Sequence, residues 1–553
     1  MHRTLRFDIK ALPLLLLAAA LSAAPTEAQR ERLNLRHTPL DLPGPPVALE
    51  AADVDGDGHR DLVAVVAYTH WEQMSIEEST EMDDIEGLVE VLTIVPALLD
   101  RRELRVWLAD PSRPGAYRPV AHVLDLPPSV LAIEAGPPSH PILALDDDGV
   151  SVLRLEPPGP EGQLRFEQVV AESPVLAGTG AFVPNLKLTH DLDGDGALDL
   201  LLPADDGLAF HLARAGGLDA VGRVAPPVDH RFAARRPSRD YPIPQIRAVG
   251  GDGRLDLVYP HPVDGWGDPR VVTGRGDGTF EAPFAPLDGF DRDARAGEIV
   301  WFGDIDGDGL AEYLTQESLE TEDAGVRQGM REAKRPPFRY RLFRSADGLA
   351  MAAEPYATFD AKGYTFDTDG DQEDGGFSIP GGFQDLDGDG DLDLIALTLD
   401  FSMLQAVRIL TTKTLNIGLD FHLYCQEEGG RFRPVSGLDL SGRFKVNLND
   451  IRIRQLSLFD GDFDGDGRAD FVQLGRGRDV TIYRGRQGCS YPTKPDLVLR
   501  LDQEPRDLAL VRIDDLDGDG RSDLVAIQPK KAPEPGVTPP VRLDLYLSGG
   551  PAR

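Results

Sequence analysis

A nine-residue acidic pattern, Asp-x-Asp-Gly-Asp-Gly-x-x-Asp, limits what this chain can fold into more than any other feature. It is complete at Asp53, Asp55, Asp57 and Asp61, and again at Asp191, Asp193, Asp195 and Asp199. It recurs at Asp385, Asp387, Asp389 and Asp393, at Asp462, Asp464, Asp466 and Asp470, and at Asp515, Asp517, Asp519 and Asp523. A sixth copy, Asp304, Asp306, Asp308 and Glu312, ends on glutamate. Every copy keeps both glycines and runs into an apolar stretch such as Leu62-Val63-Ala64-Val65-Val66. Two further copies are eroded. Residues 248–256 keep Asp252 and Asp256 but carry Ala248 and Gly250 where the first two acids belong. Around Ile133 to Pro141 only the flanks survive, with the Asp148-Gly149 turn aligning on Asp206-Gly207. Repeat starts then fall near 53, 133, 191, 248, 304, 385, 462 and 515. Recurrence on this scale signals one supersecondary unit stacked many times.

Each interval carries the same coarse reading. One strand leads into the acidic loop and a second follows it at once. A third comes after a turn, as in Leu104-Arg-Val-Trp-Leu108, and a fourth after another, as in Tyr117 to Leu124. The segment Gly274 to Phe280 reads as such a third-to-fourth strand turn, which also accounts for its Arg275-Gly276-Asp277 tripeptide. Four short antiparallel strands per repeat, without helical periodicity, predict an all-β propeller. The chain finishes on a third strand, Arg542 to Leu547, and opens near Arg32 to Leu40 with what reads as a fourth. The N-terminal strand is therefore expected to complete the last blade and remove an open edge. Eight blades are favoured, and seven follow if the second repeat is only an insertion.

The acidic loop suits calcium. Ca²⁺ takes about 6–8 oxygen ligands at roughly 2.3–2.6 Å. Short aspartates at positions 1, 3 and 5 can converge as the loop curls. Position 7 would offer a backbone carbonyl, and the acid at position 9 would close the shell. The glycines at positions 4 and 6 admit backbone conformations that a Cβ resists. All-oxygen ligation disfavours zinc and copper. An EF-hand is excluded, because that motif closes with Glu at position 12 between two helices. The expected cofactor is therefore about six Ca²⁺ ions held by the 24 acids named above, structural in role. They would bring the formal charge from −36 to about −24.

The motif resembles the FG-GAP or VCBS repeat family, found in the α-subunit propeller of integrins and in many bacterial secreted proteins. Both halves of the family pattern are present: the acidic loop, and the Gly-x-Gly-Asp-Gly-Thr-Phe turn at 274–280. The resemblance spans nearly all of residues 29–553. It implies a propeller with calcium in loops on one face, and no single activity. The integrin stalk domains have no counterpart here.

Composition bounds the partners. A net charge of −36 argues against nucleic acid and against an anionic membrane surface. The N-terminus reads as a signal peptide cleaved after Ala28: a basic start with Arg3, Arg6 and Lys10, an apolar run from Ala11 to Ala20, then small residues. The expected location is secreted, extracellular or periplasmic, with one monomeric domain over 29–553 and no membrane span after cleavage. The two cysteines, Cys425 and Cys489, occupy corresponding parts of adjacent repeats and are within reach of a disulfide.

Segments outside the blade pattern are the candidate contact surfaces, since loops on a rigid scaffold carry binding function. They lie near 70–100, 319–334, 361–380 and 399–419. The second of these reads as a polar helix and the last as an apolar, helical insertion. An acidic cluster, Asp367 to Asp374, offers a further cation site. Of catalytic signals there is little: His190, His211, His230 and Tyr241 fall in or near one blade, and Arg231 to Arg239 is the one basic cluster. The favoured reading is an extracellular binding or adhesion scaffold for glycan or protein. The alternatives are a polysaccharide lyase or hydrolase on the same scaffold, or a structural part of a cell-surface assembly.

Overall fold

The computed structural model describes residues 33–549 except 70–98, 114, 136–140, 175–186, 205–206, 215–216, 225–243, 260–269, 282–284, 287–296, 320–337, 348, 366–380, 401–413, 428, 437–439, 448–449, 476, 505–510 and 531–537. All regular structure among these residues is antiparallel strand, and the strands form eight blades. Blade 1 runs Pro46–Ala52, Asp61–Thr69, Leu99–Trp107, His122–Leu126. Blade 2, built on the most eroded repeat, runs Val130–Glu134, Leu143–Asp146, Gly149–Glu156, Gln163–Val170. Blades 3 and 4 start at Thr189–His190 and Gln245–Arg247, and blade 5 at Glu298–Gly303. Blades 6, 7 and 8 start at Gly382–Gln384, Asp450–Gly461 and Val511–Asp514.

The ring closes as the chain ends suggested. Blade 8 takes its first three strands from Val511–Asp514, Asp523–Pro529 and Val541–Ser548, and its fourth from Leu35–Leu42. The register runs without a break from Leu35 opposite Ser548 to Leu42 opposite Val541. His37 Nε2 lies 2.7 Å from Asp544 Oδ1, and its ring stacks on Tyr546.

Alternation along the second strands explains where the core sits. Val63 and Val65 pack with Ile133 and Ala144 of blade 2, while Leu62, Ala64 and Val66 pack with Val525 and Leu543 of blade 8. Both faces of the strand are buried, so the run is apolar throughout instead of alternating with polar residues. The hydrophobic core is thus a series of layers between blades, each buried Val or Leu contributing about 1.5–3 kcal/mol. Fourth strands are the exposed rim: Gln163–Val170 and Leu497–Arg500 alternate buried or half-buried residues with exposed ones.

Blades 6 and 7 depart from the simple pattern. Thr414–Glu427 is one 14-residue strand, paired along one side with Asp393–Asp400. Its C-terminal half also pairs with Arg431–Pro434, and its N-terminal half with Ser441–Asn447. Ser441–Asn447 pairs in turn with the first half of Asp450–Gly461, so the two blades share one sheet. The helix expected at 399–419 is therefore corrected at both ends, which are strands, while 401–413 lie outside the described residues. Asn416 and Gly418 between Leu415, Ile417 and Leu419 give the period of two that the apolar density of this stretch conceals. Most of the insertions at 70–100, 319–334 and 361–380, and the cluster at 367–374, also lie outside the described residues, as does the signal segment.

Candidate metal centres in the blade loops

The ninth acid anchors each loop. Asp61 is 1% exposed; its Oδ2 accepts from the Val54 amide at 2.9 Å and its Oδ1 from the Ala109 amide at 2.8 Å. Asp199, Asp393, Asp470 and Asp523 repeat the arrangement, one oxygen taking the amide of position 2 and the other an amide at the end of the third strand. Glu312 takes the Ile305 amide and, in place of the second amide, Arg344 Nε at 3.2 Å. Asp256 in the eroded fourth repeat keeps both bonds, from Val249 and Gly274. This acid ties loop to blade whatever the rest of the loop contains. Its oxygens retain lone pairs for a cation beside these bonds.

Position 1 organises the turn. Asp53 Oδ1 accepts from the Gly56 and Asp57 amides and its Oδ2 from the Gly58 amide, at 2.7, 3.1 and 2.9 Å. Asp57, at position 5, accepts from the His59 amide at 2.9 Å. Gly56 and Gly58 have φ of 76° and 84°, the left-handed region where L side chains are strained, and this alone demands glycine, because a Cβ there would meet nothing.

After these bonds are made, carboxylate oxygens remain that nothing satisfies. Asp306, Asp387, Asp464 and Asp517, all at position 3, each hold a buried Oδ1 without a hydrogen-bond partner, as do Asp191 and Asp304 at position 1. Burying a charged oxygen without a partner is costly. Oxygens of Asp53, Asp55 and Asp57 lie within 4.8 Å of one another, and so do those of Asp191, Asp193 and Asp199, of Asp304, Asp306 and Asp308, and of Asp385, Asp387 and Asp393. Hard, converging, all-oxygen donors with unsatisfied inner lone pairs fit a divalent cation of the Ca²⁺ type. Burial, reinforced by the neighbouring acids, raises Asp61, Asp393 and Asp470 to about 7, Asp523 and Glu312 to about 8, and Asp517 to about 6.

The loops are not equivalent. At the third-strand position facing the ninth acid, blades 5 and 7 carry Arg344 and Arg484. Arg344 pairs with Asp306, and Arg484 Nη1 lies 3.0 Å from Asp464 Oδ2. Blade 6 carries Cys425 there, beside Asp387, and it is bonded to Cys489 of blade 7. In blade 3, Arg214 lies just past this position and reaches Asp193 at 3.1 Å. Motif reading missed these arginines; their only signal is a basic residue closing an apolar third strand, as in Tyr340-Arg-Leu-Phe-Arg344.

Neighbouring loops also touch. The Leu392 amide donates to Ile305 O at 2.8 Å, Ala469 to Leu386 O at 3.1 Å and Ser522 to Asp462 O at 2.7 Å, while Arg60 Nη1 donates to Asp515 O at 2.6 Å. The loops of blades 5, 6, 7, 8 and 1 thus form one hydrogen-bonded arc. Among the described residues, no such loop-to-loop bond reaches the loop of blade 3.

Of the suggested catalytic group, His230 and Tyr241 lie outside the described residues, with Arg231 to Arg239. His211 Nε2 is 3.3 Å from Glu172 Oε2, and Glu172 pairs with Arg223. Burial lowers both His211 and His190, the latter to about 4. Asp277 accepts from the amide and hydroxyl of Thr279, so the Arg-Gly-Asp stretch is a locally bonded turn.

Residues 249–315, spanning blade 4 and the blade 5 loop, match the sequence model of the FG-GAP-like repeat. The chain is an eight-bladed β-propeller that carries an FG-GAP-like repeat at residues 249–315. No curated protein matches the sequence. Among solved structures it is similar to an Agrocybe aegerita lectin that recognises non-reducing terminal N-acetylglucosamine, at 18% identity and a TM-score of 0.36, covering 66% of this chain and 77% of that one. It is also similar to the V. cholerae biofilm matrix protein Bap1, at 10% identity and 0.24, covering 76% and 87%. A third is the exotype rhamnogalacturonan lyase YesX, at 11% and 0.28, covering 93% and 72%.

Proposed function

We propose that this FG-GAP propeller is an extracytoplasmic binding scaffold whose loop face is stiffened by about six Ca²⁺ ions and engages a glycan or an extracellular protein. The observation that carries the reading is the set of buried, partnerless carboxylate oxygens at Asp191, Asp304, Asp306, Asp387, Asp464 and Asp517. A cation would satisfy them and relieve the repulsion within each loop. Its role is structural, because the same acids also brace the turns from which the blades start. The Cys425–Cys489 disulfide and the basic-then-apolar N-terminus support a site outside the cytoplasm. A rigid ring carrying long inter-strand insertions supports a binding role.

The test is a thermal melt of the purified protein in excess Ca²⁺ and in chelator, with bound metal counted on the same sample. A ligand at 100 times its dissociation constant stabilises by about 2.7 kcal/mol per site, so several sites give a large upward shift. No shift and no bound calcium would overturn the metal reading. A glycan array probed in calcium then tests the partner class, and turnover of an acidic polysaccharide would move the reading to catalysis.

A further inference from the structure

The disulfide of this protein sits at one of its candidate cation sites, and at no other. Cys425 follows Tyr424, which pairs with Leu394, so it faces Asp393, the ninth acid of the blade 6 loop. The next residue, Gln426, donates its amide to Asp393 Oδ1 at 2.7 Å. Cys489 belongs to blade 7, in the turn closed by the bridge between Arg486 and Ser490. The residue before it, Gly488, donates its amide across the blade boundary to Asp387 Oδ2 at 2.6 Å. Asp387 stands at position 3 of the blade 6 loop, is 6% exposed, and its other oxygen has no partner. The disulfide therefore joins the two backbone segments that aim the acids at positions 3 and 9 of one loop.

The backbone on the blade 7 side is held in an unusual state. Cys489 has φ of 49°, the one positive φ outside glycine among the described residues. A β-carbon disfavours that region, so a chain free to relax would leave it. Gly488 precedes it at φ 71°, and Arg433 Nη2 bonds the Gly488 carbonyl at 3.2 Å. The crosslink joins the Arg433 bond and the Arg486–Ser490 bridge in holding Cys489 there, and with it the direction of the Gly488 amide.

We propose that the Cys425–Cys489 disulfide is the positioning element of the blade 6 cation site, which makes calcium binding at that site dependent on the redox state of the chain. This rests on the calcium reading above. With the bond closed, the Gly488 amide occupies Asp387 Oδ2 and leaves Oδ1 turned into the loop as a ligand. With the bond open, the turn relaxes, the amide withdraws, and Asp387 loses the contact that orients it. The opening step takes two electrons and two protons. A trialkylphosphine supplies the electrons, takes up the oxygen of water as its phosphine oxide, and leaves two thiols. The effect belongs to one site, because among the described residues only Asp387, of the acids at position 3, lies beside the cysteines.

The experiment counts bound calcium and titrates its affinity on the full protein before and after phosphine treatment. A Cys425→Ser, Cys489→Ser double variant gives the reduced state without reagent. The expected result is one site weakened about tenfold or lost, with the other sites still filling and the blade 3 site unchanged. Asp387→Asn should remove the same site, and reduction should then change nothing further. Linkage gives a second readout, the thiol–disulfide equilibrium of the folded protein in a redox buffer. Calcium must shift that equilibrium toward the disulfide, and this protection must vanish in Asp387→Asn yet persist in Asp517→Asn. Unchanged calcium stoichiometry and affinity on reduction, or equal protection in the two Asn variants, would overturn the proposal. An oxidised protein that binds no calcium fails the calcium reading itself, which is a different result.

Discussion

Asp517 shows what a single loop acid does. It is half-buried, its pKa is raised to about 6 by burial and by Asp519 and Asp515, and its Oδ1 has no partner. Asp517→Asn should therefore act with opposite signs in two conditions. Without calcium it removes a repelled charge and raises the melting temperature by about 1–3 °C. With calcium it forfeits one ion and melts below the parent. Paired melts in chelator and in Ca²⁺ check both signs. The pH dependence follows from the ninth acids. Burial raises them all, and in Asp61, Asp393, Asp470, Asp523 and Glu312 the folded pKa values, about 7 to 8, lie above the ordinary value near 4 that these acids have in the unfolded chain. Between those values the folded state holds more protons, so the calcium-free protein loses stability as pH rises from about 4 to 8. Saturating calcium should flatten or reverse that slope, which melts across the range will show. The acids themselves were legible because the repeat spells them out. That each aspartate at the ninth position is already bonded by two amides was not, because one of those amides lies at the end of a third strand as far as 48 residues away. Arg344 and Arg484 were hidden for the same reason: a basic residue after an apolar strand has no meaning until the strand is laid beside its loop.

At the scale of the element, the four-strand unit could be read wherever an acidic loop marked its first turn. It could be read even in blade 2, from the turn between Asp146 and Gly149. The long strand Thr414–Glu427 escaped because one strand serves two neighbours, and periodicity records which face is apolar, not how many partners the edges have. Ser441–Asn447 lies between Thr414–Glu427 and Asp450–Gly461, so Lys445, opposite Asn416 and Arg452, occupies a central position. Lys445→Pro removes a ladder donor there and should cost about 1–3 kcal/mol for the partner left unsatisfied. Hydrogen exchange should accelerate over 414–420 and 450–455 while blade 2 stays protected. Unaltered exchange in both stretches would mean that the shared sheet adds nothing to the tie between the two blades.

For the whole molecule, the order of intact and eroded repeats has a consequence for binding. The five intact loops of blades 5, 6, 7, 8 and 1 are bonded in sequence around the ring, while the blade 3 loop stands between the eroded repeats of blades 2 and 4. Ordering one loop of the arc presents a fixed backbone to the next. Calcium should fill those five with positive cooperativity, and the blade 3 site should titrate independently. Asp193→Asn should delete the independent phase and leave the cooperative one intact. A titration of six identical, independent sites would show that the inter-loop bonds transmit nothing.

Closure by Leu35–Leu42 also sets a clock. His37 and Asp544, which meet in blade 8, are 507 residues apart. A ribosome adding about 5–20 residues per second makes the first of them roughly 25–100 s before the second. Through that interval the earliest strand has no mate and seven blades have no ring to close. The molecule is born as an open fan whose first-made piece is the last to find its place.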